Sequence, residues 1–421
     1  MKKKTKYSMA FSATDAVMYL LLLFPITTLF QTNIVILNRI VFFFTYLTLL
    51  FALYSKANTV RLIALPVMVF LYVWASFHTN FPLFTINIFF YFQFMVLYSL
   101  LFLTKRTAVE SFFKRNPKYV YGVIYLWCAI IAICAVVPSS YPYHMFYFKP
   151  LGLNGFRSAP TAIFILCLIM LAMVLYKNRR LIVFSVFPMY VIFAGSSRTY
   201  FLVGVLIFII LFYIYCKGKQ KFYIYAIPGV AVGYKAYSLT SVSDKMTALT
   251  ANSGTKETFW YNLSNGRSAF WKVDINAYRH FSIDKLLFGN GFNYVYELNK
   301  REMNNAIWAH NDFINLLLGF GAVGTLIYVA CIVALIVFVM FKGKCKIPVL
   351  IVVTVVTIWL FNAYFNMFYT YFCACASYPF LLLAVNHYYT ERAELDKLRE
   401  TQEAELHRAA LEARRKRGIR A

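Results

Sequence analysis

Acidic residues are scarce in this sequence: 16 Asp and Glu stand against 42 Lys and Arg among 421 positions. Charged residues of both signs make up only 14% of the chain, whereas apolar residues make up 61% and the mean hydropathy is +0.63. A soluble globular domain carries about 25% charged residues. The scarcity of charge therefore excludes an ordinary soluble domain. It predicts an all-α polytopic membrane protein.

Motifs of nucleotide-binding and hydrolytic enzymes are also absent from the sequence. No GxGxxG, P-loop, GxSxG or HExxH pattern occurs, and the short basic loops are too small to form a nucleotide-binding domain. An ATP-driven or nucleotide-sugar-dependent enzyme is therefore disfavoured. No cofactor and no metal are expected, and the energy for a reaction would have to come from the substrate itself.

The positions of the cysteines and of the basic residues argue against two further classes, disulfide-linked or metal-binding proteins and nucleic-acid-binding proteins. All eight cysteines lie in or beside apolar runs, so neither a disulfide framework nor a metal site is indicated. The net charge of +26 is spread over short clusters between apolar runs, without a basic stripe interleaved with stacking aromatics on a soluble domain. Nucleic acid is therefore not an expected partner.

Twelve apolar runs follow one another along the chain, most of them close to the roughly 17–25 residues of a membrane span. They lie at about 15–30, 34–54, 62–77, 81–103, 119–137, 161–176, 181–195, 199–216, 222–237, 312–341, 347–362 and 367–389. Twelve spans put both termini on one side, and seven segments on that side hold 29 of the 42 Lys and Arg. By the positive-inside rule these segments are cytoplasmic. They are 1–14, 55–61, 104–118, 177–180, 217–221, 342–346 and 390–421.

Three segments are longer than the other loops. Residues 138–160 and the 74 residues 238–311 are predicted to face outward, and the second is long enough to form helices of its own. Residues 390–421 are rich in Ala, Glu, Arg and Leu and predict a charged cytoplasmic helix. We therefore expect a transmembrane domain over 1–389, including the long outer loop, followed by this charged tail.

Four arginines are predicted to face outward at or near the membrane surface: Arg157, Arg198, Arg267 and Arg279. A guanidinium binds oxyanions with two parallel hydrogen bonds and stays charged when it is partly desolvated. Arginines that meet at one outer interface would therefore suit a phosphate or diphosphate. The alternative for each arginine alone is that it reaches lipid headgroups without a function.

His310 lies where the long outer loop meets the tenth apolar run. Its usual pKa is near physiological pH, and a helix N-terminus disfavours the protonated form, so it is the candidate general base for a hydroxyl group. The alternative is a histidine that only forms interfacial hydrogen bonds. Asn311 and Asp312 are expected first to cap the following helix. Asp312 and Asp274 are the next candidates for the base.

Four short motifs resemble those of one bacterial family. They are HN followed after nine residues by GxxGT at 310–325, SSRTYFLVG at 196–204, NGRSAFW at 265–271 and LLFGNGFNYV at 286–295. Their order, their placement about the membrane and the long late loop resemble the O-antigen polymerase and O-antigen ligase superfamily of bacterial envelope enzymes. The motifs lie within about residues 150–330, whereas the N-terminal spans match only in hydropathy.

This resemblance implies a GT-C-like fold and metal-independent glycosyl transfer on the outer face of the cytoplasmic membrane. The donor would be an undecaprenyl-diphosphate-linked oligosaccharide that enters from the bilayer. Arg198 and Arg267 would hold the diphosphate, and His310 would activate the acceptor hydroxyl. We expect the remaining candidates to bind substrate; they are Arg157, Arg279, Asn311, Asp312 and Asp274. A chain-length regulator and a flippase are the protein partners expected of such an enzyme.

Three activities stay open at this point. A polymerase joins lipid-linked repeat units, a ligase moves the finished glycan to lipid A core, and a lipid-linked oligosaccharide flippase would only transport it. The abundance of Phe, Tyr, Ile and Lys is typical of an AT-rich genome and favours a capsule or exopolysaccharide polymerase. A transporter is disfavoured because the chain has no two similar halves and its polar residues gather at the outer rim rather than at mid-bilayer.

Overall fold

The structure is a computed structural model. It describes residues 12–30, 34–54, 59–78, 86–136, 155–195, 197–216, 221–224, 266–291, 293–343 and 345–416, with seven further positions between 234 and 264. All regular secondary structure in these ranges is helical, which confirms the all-α class. The helices are α1 (Ala13–Leu29), α2 (Val35–Tyr54), α3 (Thr59–Phe77), α4 (Ile86–Arg115), α5 (Pro117–Val136), α6 (Gly155–Leu175), α7 (Val186–Ala194), α8 (Arg198–Cys216), α9 (Arg267–Arg279), α10 (Ile283–Phe288), α11 (Tyr294–Met303), α12 (Asp312–Leu335), α13 (Val349–Phe365) and α14 (Phe372–Lys416).

The membrane spans are only partly confirmed. Within the described ranges, five helical segments are both long and apolar enough to cross a bilayer, and α1, α13 and part of α3 are apolar but shorter. Eleven of the twelve apolar runs overlap helical segments, and the ninth, 222–237, lies largely outside the described residues. The number of twelve spans and the GT-C-like arrangement therefore stay predictions. The five segments are α2, Pro117–Ala135, Ser158–Leu175, α8 and Asp312–Met340.

The seventh apolar run is not one continuous α-helix. It begins as a 3-10 helix over Arg179–Ser185 and continues as α7, which has only nine residues. Pro188 stands in the first turn of α7. Proline has no amide hydrogen, so it cannot join the hydrogen-bond ladder to the preceding turn, but it is tolerated in a first turn. The missing amide hydrogen of Pro188 explains why the 3-10 helix and α7 do not form one continuous α-helix.

Helix α6 forms the centre of the core. Of its window Ser158–Leu175, 94% is buried, and the helix packs against α14, α7, α1 and α8. A helix that is apolar on all sides suits a position surrounded by other helices. Its buried Thr161 accepts a hydrogen bond from Nε1 of Trp127 in α5 at 3.1 Å. The remaining helices are thus arranged around one buried helix.

A tight backbone contact seats the outer helices on α12. Gly321 lies inside α12 but has φ 67° and ψ −166°, so the helix is kinked there. Near this kink the carbonyls of Leu318 and Gly319 accept hydrogen bonds from the amides of Asn290 (2.8 Å) and Gly291 (3.3 Å). A Cβ atom on Gly321 would overlap the backbone of α10, so only glycine permits this approach.

A buried arginine holds the inner end of the same helix. Arg106 of α4 is only 7% exposed. Its guanidinium donates to the carbonyls of Phe338 (3.2 Å) and Val339 (2.6 Å) in the π-helical end of α12 and to the amide oxygen of Asn386 in α14. It also pairs with Glu110 one turn further along α4. One cation thus ties α4, α12 and α14 together.

We predict that Arg106→Ala destabilises the protein by about 3–5 kcal/mol, because the partly buried Glu110 loses its permanent cation and keeps only His387 at 3.5 Å. Thermal or denaturant unfolding of the purified protein in detergent measures the loss. Arg301→Ala is the control. Arg301 is 66% exposed and pairs with Glu302, which is 48% exposed, so we expect a loss below about 1 kcal/mol. Equal losses in the two variants would contradict the role assigned to Arg106.

Candidate active site

The outer segment before α9 turns sharply so that Arg267 becomes the first residue of that helix. Gly266 has φ 79°, a left-handed conformation that glycine adopts at no steric cost. The buried Ser264 hydroxyl accepts a hydrogen bond from the amide of Ser268 at 2.9 Å, which satisfies one of the unpaired amides of the first turn. The sequence SNGRS thus combines turn and capping residues. This local structure fixes where Arg267 points.

Two of the predicted arginines are brought together. Nη1 of Arg198, at the start of α8, donates to the carbonyl of Asn262 at 3.1 Å. Nη1 of Arg267 donates to the carbonyl of Phe365 at the end of α13. Burial lowers the pKa of Arg267, Tyr371 opposes that shift, and the positive charge of Arg198 lowers it further. The guanidinium groups are therefore close enough to repel each other, which favours an anion between them.

His310 lies near Arg267, in a strained backbone conformation. Its φ is 49°, an uncommon value for a residue other than glycine. Both backbone groups of the preceding Ala309 are held: its carbonyl accepts from Nε1 of Trp271 at 2.6 Å, and its amide donates to Asn315 at 3.3 Å. Trp271 lies one helical turn after Arg267. Helix α9 therefore carries one arginine and also fixes the position of the histidine.

The imidazole of His310 is kept neutral by its surroundings. Burial is the main cause that lowers its pKa to about 3, and the positive charge of Arg267 adds to the shift. Its Nδ1 atom is buried and has no hydrogen-bond partner among the described residues. A neutral imidazole with an unused nitrogen can accept a proton. His310 is thus neutral, as a general base must be before it acts, but a pKa of about 3 makes it a weak proton acceptor unless an anion offsets the charge of Arg267.

Asn311 and Asp312 have different structural roles. Asn311 is the N-cap of α12, and its side-chain oxygen accepts from the amide of Ile314 at 3.2 Å. Asp312, expected to share the capping, is instead the first residue of the helix, and its carboxylate accepts from the hydroxyl of Tyr328 at 2.6 Å. That hydroxyl accepts in turn from Nε1 of Trp359 at 3.0 Å. Asp312 is fully buried, which suits a structural role behind His310.

Asp274 lies on the inner face of α9, away from the arginine pair. Its side chain is fully buried, and neither carboxylate oxygen has a hydrogen bond of good geometry among the described residues. Burial raises the pKa of Asp274 to about 7, and Asn299 opposes the shift. It is seven residues after Arg267, about 10 Å along the helix axis. No contact or electrostatic effect on His310 connects it to that residue.

Of the remaining two candidates, the structure places only the side chain of Arg279, which lies outside this cluster. Arg279 is the last residue of α9 and is exposed, about 18 Å along the helix from Arg267. Arg157 lies in the first turn of α6, and its side chain is outside the described part of the chain. Their substrate-binding roles stay predictions.

Two tyrosines that the sequence motifs did not single out belong to the cluster. Tyr200 is buried one turn into α8, with its ring 5.8 Å from that of Tyr371, and both lie close enough to Arg267 to act on its charge. The motif SSRTY, which contains Arg198, could have indicated Tyr200. Tyr371 follows an unremarkable apolar stretch, and only the folded chain brings it to Arg267.

A cavity of 170 Å³ lies beside Tyr371. Tyr371 lines it together with Phe24, Tyr91 and Phe372, and Thr28 and Asn38 add polar groups. The cavity therefore borders one residue of the cluster and lies between α1, α2 and the start of α14. Its wall combines aromatic rings with a few polar groups.

A comparison with known proteins finds a similar family. Residues 183–329 match a protein-family model described as O-antigen ligase. Arg198, Arg267 and His310 all lie within the matched segment, whereas Arg157 lies outside it. The resemblance to the O-antigen polymerase and ligase superfamily is confirmed, and the match indicates a membrane enzyme of polysaccharide biosynthesis. No curated protein matches the chain.

We predict that Trp271→Phe loosens the segment around His310. The variant keeps a ring to pack against Tyr364 but loses the hydrogen bond to Ala309, which is worth about 1 kcal/mol. Hydrogen exchange should become faster at residues 309–311, and unfolding should occur at a lower temperature. Trp308→Phe is the control, because the indole nitrogen of Trp308 has no hydrogen bond among the described residues. If exchange at 309–311 is the same in both variants, the Trp271 contact does not hold this segment.

A second prediction concerns Asp274. Because its pKa is raised to about 7, the folded protein binds a proton between about pH 4 and pH 7 that the unfolded chain has lost. The free energy of unfolding should therefore fall as pH rises through this window, on the order of 1 kcal/mol per pH unit. Asp274→Asn should remove that fall and be more stable than the wild type at pH 8.

Unfolding in denaturant at pH 5 and pH 8 measures both proteins. Asp284→Asn, at an exposed carboxylate of α10, should keep nearly the wild-type pH dependence. If Asp274→Asn keeps it as well, Asp274 is ionised in the folded protein at pH 5, and burial does not hold its carboxyl group protonated.

Proposed function

We propose that this protein is a polysaccharide polymerase. It transfers a glycan from a polyprenyl-diphosphate donor to a sugar hydroxyl of a second lipid-linked repeat unit, on the outer face of the cytoplasmic membrane. The polyprenyl donor, the second lipid-linked acceptor and the outer location belong to this proposal. The coarser assignment to polymerase or ligase chemistry rests on the family match.

One observation supports the proposal: Arg267 lies close enough to Arg198 and to the neutral His310 for their charges to interact, although the three residues come from separate elements. Two guanidinium groups that repel each other gain most from a ligand with two negative centres, such as a diphosphate. A neutral base beside them would serve a hydroxyl that must lose a proton. Diphosphate binding and hydroxyl activation are the two tasks of this reaction.

The proposed reaction balances without a cofactor. The acceptor hydroxyl oxygen forms a bond to the anomeric carbon of the donor glycan, and the bond from that carbon to the diphosphate oxygen breaks. The diphosphate leaves with the electron pair, and Arg198 and Arg267 stabilise its added negative charge. The hydroxyl proton goes to the imidazole of His310. The resemblance implies transfer without a metal. In such a reaction the arginines neutralise the charge of the diphosphate.

The cavity beside Tyr371 supports a lipid-linked donor. Phe24, Tyr91, Tyr371 and Phe372 give it an aromatic wall, which could hold an apolar chain. We expect the first units of the polyprenyl chain to occupy it while the diphosphate reaches the arginines. The rest of the chain would stay in the bilayer.

A ligase is the second candidate, and a specific observation favours it. The matched family model is described as O-antigen ligase, and the matched segment includes all three residues of the cluster. A ligase would use the same donor, arginines and base but would accept lipid A core instead of a second repeat unit. The two activities therefore differ only in the acceptor.

The test offers purified enzyme the undecaprenyl-diphosphate-linked repeat unit of its host, first alone and then with lipid A core. A ladder of longer lipid-linked chains from the repeat unit alone is the expected result. Transfer that starts only when lipid A core is added would show a ligase. No new glycosidic bond under either condition would contradict both and leave transport as the remaining function.

Variants then test the assigned roles. Arg198→Lys and Arg267→Lys keep the charge but lose the planar donor pair, and each should reduce turnover by about one to two decades. Arg301→Lys is the control, because Arg301 is an exposed outer arginine paired with Glu302. Wild-type turnover in both lysine variants would remove the diphosphate role.

His310→Asn is the sharpest test of the base, because asparagine tolerates the left-handed conformation at this position but cannot take the proton. We expect a loss of about 10²–10⁴-fold in turnover with little change in unfolding temperature. A full ladder from this variant would leave the polymerase proposal standing and assign the base to another group, with Asp312 and Asp274 as the next candidates.

A further inference from the structure

A second cavity, of 280 Å³, lies at the opposite end of the helices from the candidate active site. Met173 and Val174 near the end of α6 and Ile214 near the end of α8 form its apolar floor, and the start of the charged tail covers it. The candidate spans Ser158–Leu175 and α8 end at this level. The cavity therefore lies at the membrane surface, on the side of the basic segments.

Three arginines line the cavity. Arg179 begins the 3-10 helix after α6, while Arg392 and Arg399 are two turns apart on α14. None of the three has a carboxylate within ion-pair distance among the described residues, and Arg392 lies against the hydroxyls of Tyr213 and Tyr388 instead. Three cations at one cavity without acidic partners leave a positive site.

The acidic groups at the same cavity do not cancel this charge. Glu391 is paired with Lys177 at 2.7 Å, so it is already neutralised. Asp396 lines the cavity but forms no ion pair in the described ranges. With four cations and two carboxylates, the lining has a net charge of +2. An anion is the ligand that this balance favours.

The apolar floor restricts the kind of anion. Leu395 of the tail is 49% exposed above Met173, Val174 and Ile214, so part of the ligand must be apolar. Guanidinium groups bind phosphate oxygens bidentately. Basic pockets between helices at the cytoplasmic membrane surface suit lipid headgroups, with each nearby Lys or Arg contributing to the attraction of an anionic leaflet. A phosphate headgroup attached to an acyl chain would contact both the arginines and the apolar floor of the cavity.

We propose that this cavity binds the phosphodiester headgroup of an anionic phospholipid. The ligand fastens the first turns of the tail to the ends of α6 and α8. The tail has little else to hold it, because α14 is exposed throughout from Glu394 to Ala413. This site does not depend on the transfer reaction and is separated from it by the length of the spans.

The experiment uses the full-length protein in nanodiscs of phosphatidylcholine with increasing phosphatidylglycerol. Native mass spectrometry counts retained phosphatidylglycerol molecules, and hydrogen exchange follows residues 388–399. The wild type should retain phosphatidylglycerol and show slower exchange as its fraction rises. Arg179→Gln/Arg392→Gln/Arg399→Gln should need at least tenfold more phosphatidylglycerol for the same protection.

A control variant removes the same charge elsewhere on this side. Lys118→Gln/Lys221→Gln/Arg408→Gln changes three exposed residues that do not line the cavity, and it should bind phosphatidylglycerol like the wild type. If both triple variants lose binding equally, general attraction to the leaflet explains the result and the site is refuted. Because Arg399 is exposed, Arg399→Gln alone serves as a variant that should fold normally, and unchanged binding in it and in the triple variant would also refute the site.

A last arm separates a lipid from a soluble phosphate. Glycerol phosphate and inorganic phosphate are added to the wild type in phosphatidylcholine nanodiscs without phosphatidylglycerol. No protection of 388–399 at millimolar concentrations supports the lipid. Protection equal to that caused by phosphatidylglycerol would overturn the lipid assignment and make the cavity a site for a phosphate from solution.

Discussion

The placement of α10 on α12 depends on a close contact between two backbones. The turn at Gly289–Gly291 lies directly on the kink of α12, and at Gly289 and Gly321 a single Cβ atom would overlap the opposing chain. Two hydrogen bonds to the carbonyls of Leu318 and Gly319 follow from this approach, and Nε1 of Trp74 in α3 adds a third by donating to the carbonyl of Gly289 at 3.1 Å. The segment that leads to His310 can then return to the start of α12.

This contact links the fold to the chemistry. Helix α9 carries Arg267 at its first residue and Trp271 one turn later, and Trp271 holds the carbonyl next to His310. A displacement of α9 would therefore move an anion-binding group and the candidate base together. The burial that lowers the pKa of His310 to about 3 depends on the same packing. The protonation state and the position of His310 therefore depend on the same contacts.

Much of this arrangement could be predicted from the sequence, but not its long-range contacts. The apolar runs predicted helices, and the motif NGRSAFW singled out Arg267. Position at a loop-to-helix junction indicated His310. The sequence could not show that Asp312 would bond to Tyr328, because the two meet only through the kink of α12 at Gly321. Nor could it show that Tyr371 would meet Arg267, because that pair is distant along the chain. The sequence also could not show that Arg279 lies far from Arg267, because the bounds of the helix between them were not known.

The dependence of the site on this backbone contact is tested most directly by comparing two glycines by hydrogen exchange. Gly321→Ala places a methyl group against the backbone of α10, whereas Gly343→Ala adds one at another position of positive φ where the nearest atom is 3.6 Å away. We expect Gly321→Ala to accelerate exchange throughout residues 283–311 and to reduce glycan transfer, and Gly343→Ala to do neither. Wild-type exchange and transfer in Gly321→Ala would contradict the claim that this contact positions the site.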